Sequence, residues 1–98
     1  MAEKLKYTRG SGNIFIDLGF PKAEAENLRI RADVTICIIR FFRESGMTQV
    51  AAAKLLGLTQ PRLNALLKGR IDLFSLDALV NIAGRAGLKV RLLVKKAA

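Results

Sequence analysis

Between residues 47 and 69 the chain reads MTQVAAAKLLGLTQPRLNALLKG, and its punctuation leaves little conformational choice. A threonine precedes each of two short apolar runs, at Thr48 and Thr59, and a glycine closes each, at Gly57 and Gly69. A threonine hydroxyl that accepts from a backbone N–H two or three residues on starts a helix, and glycine takes the positive φ that ends one. The spacing therefore predicts two helices of two to three turns joined by a tight turn at Gly57 and Leu58. Ala53 is small where the two helices must approach closely, and Leu56, Leu63 and Leu66 are placed to lock the second helix across the first. What the second helix leaves outward is Gln60, Pro61, Arg62, Asn64, Ala65 and Lys68.

The flanking sequence supplies a bundle for this pair to sit in. Lys22 to Ser45 contains neither proline nor glycine, carries Glu24 and Glu26 near its start and stops at Gly46. Pro21 suits a first helical turn, because its missing N–H has no intrahelical partner there. The β-branched stretch VTICIIRFF could be read as a strand, but its uninterrupted length and the acids ahead of it favour one long helix. That helix carries two apolar stripes, one through Leu28, Ala32, Ile36 and Ile39 to Arg43 and one through Val34, Ile38 and Phe41, so two buried faces are expected. Ser75 caps a further amphipathic helix with Leu76, Leu79, Val80 and Ala83 inward, Phe74 placed to staple onto Leu79, and Gly87 as the stop.

The ends are expected to behave differently. Residues 1–12 place Lys4, Lys6 and Arg9 around Gly-Ser-Gly, a basic arm with little to bury. NIFIDLGFP, residues 13–21, is apolar and is expected to dock as an extended piece. Leu88, Val90, Leu92 and Val94 alternate with Lys89, Arg91 and Lys95, the period-two pattern of a strand. A strand needs a partner, either the NIFI segment or the same strand of a second copy, so homodimerisation by strand pairing is expected. The organisation is then an arm at 1–12, one mainly α domain of four to five helices at 13–87, and a short C-terminal β-strand with a basic tail at 88–98.

Seventeen Lys plus Arg against eight Asp plus Glu give a net charge of +9, which attracts polyanions and makes nucleic acid the leading partner. Histidine is absent and Cys37 is the one cysteine, lying in an apolar run, so neither a general-base histidine nor a zinc site is available. Asp17, Glu24, Glu26, Asp33, Glu44, Asp72 and Asp77 are scattered over helix starts and surfaces, where capping and solvation explain them. Ser11 has no histidine base, and its flanking glycines lack the lysine of a phosphate loop. No catalytic residue, cofactor or metal is expected. Val34 to Phe42 is interrupted by Arg40 and is far short of the roughly 20 residues that span a bilayer, and no apolar leader follows the basic start, so a cytoplasmic protein without membrane contact is expected. The aromatic residues fall at core-like positions and not on a basic face where bases could stack.

Residues 47–69 resemble the helix-turn-helix of the Cro and lambda-repressor-like (XRE-type) family, at the Thr-Gln opening, Ala53, Gly57, the Thr59-Gln60 start, Leu63 and Leu66. With the long helix before and the capped helix after, the resemblance extends over most of residues 22–87. It implies a second short helix in the major groove, with Thr59, Gln60, Arg62, Asn64 and Ala65 toward base edges and Gln49 on a phosphate. The chemistry agrees, since an amide pairs bidentately with adenine and a guanidinium with guanine. Lys54, Lys68 and Arg70 lie in a stretch, 47–70, that holds no acid, and suit phosphate contacts. The plain alternative is a solvated helical face that binds nothing. A small polar residue is common in the family where Asn64 stands and a cation where Ala65 stands, so no relative's base preference carries over. More narrowly, residues 11–21, the long helix and residues 75–94 look like the HigA-type antitoxins. That likeness implies a dimeric repressor of its own operon that neutralises a RelE- or HigB-type mRNA-cleaving toxin. The alternatives are a phage-type repressor without a toxin, or a protein-binding module whose DNA binding is non-specific.

Overall fold

The computed structural model of the chain describes residues 13–96; the expected basic arm at 1–12 and the last two residues lie outside it. Among the described residues there are five α-helices, α1 (Ile14–Asp17), α2 (Lys22–Ser45), α3 (Gln49–Leu56), α4 (Gln60–Leu67) and α5 (Leu76–Arg85), with a 3₁₀ turn at Ile71–Leu73 between the last two. The chain is mainly α, as its sequence predicts.

The segment NIFI, expected to be extended, is helical. Asn13 is the reason: its side-chain oxygen accepts from the Phe15 N–H at 2.9 Å and its amide donates to the Ala25 carbonyl at 3.1 Å. One buried side chain thus starts α1 and ties it to the second turn of α2. Phe15 and Phe20 meet edge to face at 6.1 Å.

α2 has the bounds its glycine- and proline-free run predicts, with Gly46 at φ 73° after it. Leu28, Val34, Thr35 and Ile38 are buried, whereas Ile36 is exposed and Ile39 half-buried. The stripe through Val34 and Ile38 is covered, and the other only in part: Leu28 is buried but Ile36 is not, while α1, α4, α5 and the 3₁₀ turn all pack on α2. The open side carries a shallow groove of about 330 Å³ lined by Ile36, Ile39, Arg40, Arg43 and Glu44. Arg29 bridges Glu26 at 2.7 Å and Asp33 at 3.0 Å along the same helix, and its hydrogen bond holds the Glu26 carboxyl below the usual carboxylate range.

The core is built from Val34 and Ile38 of α2, Ala52, Ala53 and Leu56 of α3, Leu63 and Leu66 of α4, Phe74, and Leu79, Ile82 and Ala83 of α5. Phe74 and Leu79 both lie in it, as the stapling pattern predicts. Arg31 adds a polar clamp: its Nη1 donates to the carbonyls of Ile71 and Phe74, each at 3.1 Å, and its Nε to Asn27 Oδ1 at 2.7 Å. The 3₁₀ turn and the entry to α5 are therefore fastened to the middle of α2 by a charged donor.

No strand occurs among the described residues, and the expected β-strand from Leu88 to Val94 is absent. Leu88 packs against the core, but Leu92, Leu93 and Val94 are 67%, 83% and 82% exposed. The physical reason is the partner: a ladder needs a second row of backbone groups, and of the two segments expected to supply it the one within the chain, NIFI, is wound into α1.

Arg31→Met keeps the aliphatic stem and removes the donors, leaving the Phe74 carbonyl unpaired by protein and the Ile71 carbonyl with only the Phe74 N–H. The expected cost is about 1.5–3 kcal/mol in urea unfolding; a loss below about 0.5 kcal/mol would show that water replaces the clamp without penalty.

Candidate nucleic-acid interface

Both predicted caps form. Thr48 Oγ1 accepts from the Ala51 N–H at 3.1 Å and Thr59 Oγ1 from the Arg62 N–H at 3.3 Å, so each short helix starts at its threonine. Between them Gly57 takes φ 72°, and the Leu58 N–H returns to the Ala53 carbonyl at 2.8 Å, closing α3 and redirecting the chain. Residues after it are set at a fixed angle to α3 by Leu63 and Leu66, both fully buried.

A second reason for glycine at 57 is one the sequence did not show. Arg85, from the last turn of α5, donates through Nε to the Leu55 carbonyl at 3.1 Å, and a Cβ on residue 57 would sit 3.0 Å from that nitrogen. The C-terminus of α3 is thus satisfied from 30 residues away, across the same narrow space that a side chain at the turn would fill.

With Leu63 and Leu66 inward, the opposite side of α4 carries Gln60, Asn64 and Lys68, which follow one another at four-residue intervals along one row, and Pro61 and Ala65 on the row beside it. Gln60, Pro61, Asn64 and Lys68 are exposed; Ala65 is half-buried, packed at its base against the core. Thr59 is exposed at the helix start with its hydroxyl engaged in capping. Gln49 is exposed as the first residue of α3, and Lys54 is exposed farther along it. Neither Lys54 nor Lys68 makes an ion pair among the described residues.

Two of the expected contact residues are engaged by their own chain. Arg70 pairs with Asp72 at 3.1 Å, an acid lying two residues beyond the acid-free stretch, and the pairing holds the Asp72 carboxyl below its ordinary range. Arg62 turns away from the Gln60–Asn64 row: its Nη1 donates to the Leu73 carbonyl at 3.1 Å and its guanidinium carbon stands 4.2 Å from the centre of the Phe74 ring. The structure thus brings Gln60, Asn64, Ala65 and Lys68 together on one open face, places Gln49 and Lys54 on the preceding helix, and draws Arg62 to the flank.

Of the aromatic residues, Phe74 is buried, Phe15, Phe41 and Phe42 are half-buried, and Phe20 is exposed against Phe15 at the far end of α2. None lies on α3 or α4. Among the described residues no group of three or more His, Cys, Asp or Glu is disposed to hold a metal ion, and no helix is long and apolar enough to cross a membrane.

Over residues 14–95 the sequence matches the profile of a family described as a helix-turn-helix domain. No curated protein matches it.

Gly57→Ala introduces a left-handed alanine, at about 1–2 kcal/mol, and displaces the Arg85 guanidinium from the Leu55 carbonyl. For a domain of this size that corresponds to a melting temperature lowered by roughly 5–15 °C in a thermal melt. An unchanged melt would mean that the turn relaxes freely.

Proposed function

Because the chain belongs to the helix-turn-helix domain family, whose members bind DNA, we propose that it is a sequence-specific transcriptional repressor that lays α4 in the major groove. The observation that carries this reading is the row Gln60, Asn64 and Lys68, exposed along a helix that buries Leu63 and Leu66. Thr59, Gln60, Asn64 and Ala65 face base edges, Arg62 flanks them, and Gln49, Lys54, Lys68 and Arg70 border the groove where phosphates lie. The surplus of positive charge, +9 over 98 residues, supplies the sequence-independent attraction.

The repressor acts as a homodimer. Support comes from residues 88–94, which keep strand-like alternation and yet leave Val90, Leu92 and Val94 exposed, with backbone free to pair with the same segment of a second copy. Two recognition helices about 34 Å apart then read an inverted repeat on one face of the duplex. The specific role we propose is that of an antitoxin that represses its own operon and neutralises a RelE- or HigB-type toxin. In favour of a protein partner is the apolar surface left open on α1, α2 and the turn between them, where Ile14, Ile16, Leu18, Phe20 and Ile36 are all exposed.

Selection from a random duplex pool tests the reading. An inverted repeat should be recovered, and Lys68→Ala should weaken binding to the repeat and to scrambled duplex alike, lowering the salt slope by about one. An unenriched pool would end the repressor reading. Sedimentation should give twice the chain mass of 10.7 kDa, falling to the monomer in Leu92→Asp/Val94→Asp; a wild-type monomer would remove the strand-paired dimer. Co-expression with the neighbouring reading frame should yield a stable complex, and its absence would leave repression without the toxin.

A further inference from the structure

Three residues with outward potential follow the Thr59 cap, Gln60, Arg62 and Asn64, and they are not equivalent. Gln60 and Asn64 stand on one row, one turn apart, both exposed and without a side-chain hydrogen bond among the described residues. Arg62 shares its row with Leu66, which is buried, so its Cα already points along the edge of the core. Its side chain, though exposed, lies along the flank: one N–H goes to the Leu73 carbonyl at 3.1 Å and the guanidinium carbon stands over the Phe74 ring, 4.2 Å from its centre. Phe74 is 1% exposed, so the guanidinium is part of the lid over the largest side chain of the core. A bidentate guanine contact needs two N–H groups of one guanidinium edge aimed outward. Reaching for it would uncover that ring and release the carbonyl that precedes it.

Resting on the repressor reading above, we propose that Arg62 is a positioning residue that straps α4 to the segment before α5, and that base recognition by α4 falls to the amides of Gln60 and Asn64. An amide offers one donor and one acceptor side by side, and among the major-groove edges adenine presents the matching pair, N6–H₂ and N7. The half-site is therefore centred on A·T pairs. Four helical residues rise about 6 Å and a base pair about 3.4 Å, so the two adenines lie within about two base pairs of each other. Ala65, beside Asn64 and carrying only a methyl, suits contact with a thymine methyl on the same stretch. Guanine readout by the arginine at the reading helix, the other natural expectation for this sequence, is absent from the specificity.

The experiment is duplex selection repeated with full-length wild type, Gln60→Ala, Asn64→Ala, Arg62→Ala and Arg62→Met, the last keeping an apolar cover over Phe74 if alanine unfolds the domain. Expected are a wild-type half-site with A·T pairs at the contacted positions and loss of preference at one such position in each amide variant, by about tenfold or more in relative affinity. Arg62→Met should recover the wild-type motif at full discrimination, with a lower melting temperature. A guanine-containing motif that loses its guanine in Arg62→Met while the melt is unchanged would overturn the strap and leave the repressor standing. A pool enriched for nothing by wild type would overturn both.

Discussion

Everything presented on α4 depends on the way Leu63 and Leu66 are pulled beneath it. Those two leucines meet Val34, Ile38, Ala53 and Leu56 in one core, and the turn that delivers them is possible because residue 57 has no side chain. A bulkier residue there meets two obstacles of different kinds, a backbone conformation that L-residues avoid and the Arg85 guanidinium that finishes α3. Since α4 is only two turns long, it has little stability of its own and borrows its direction from these contacts.

The same short helix is braced from the far side by polar groups. Arg31 reaches from α2 to the carbonyls of Ile71 and Phe74, and Arg62 reaches from α4 to the carbonyl of Leu73. The turn between α4 and α5 bonds the carbonyls of Gly69, Arg70 and Ile71 within itself, and two arginines from different helices serve those of Leu73 and Phe74. Cations in a basic DNA-binding chain thus divide into those that hold the scaffold and those left to the solvent, as at Lys54 and Lys68, and their count alone does not tell the two apart.

That division marks where the sequence is legible and where it is not. Thr48, Thr59, Ser75, Gly46, Gly57 and Gly87 act over three or four residues, and each does in the structure what its local chemistry implies. The inward leucines follow from helical periodicity. The donor role of Asn13 runs to Ala25, outside any local window, so the sequence alone suggests an extended segment where α1 forms. The clamps of Arg31 and Arg85 span 40 and 30 residues and carry no sequence signature. Arg62 is different, since its row shared with Leu66 is visible in the sequence; only the ring that receives it, twelve residues on, is not. The C-terminal alternation is a local pattern that says nothing of a pairing partner, and no strand forms there among the described residues.

That C-terminal stretch has a consequence of its own. An irregular run bearing Val90, Leu92, Leu93 and Val94, all exposed, is the kind of segment on which like chains can stack. Lys89, Arg91, Lys95 and Lys96 are interleaved with it and exposed. Were copies to stack, each would bring the same cations into register with the last, so repulsion would mount with every layer. The segment is in this sense self-limiting, and its solubility is tied to ionic strength: conditions that screen these charges, or polyanions that neutralise them, remove the gatekeeping that keeps a sticky edge from growing into a fibre.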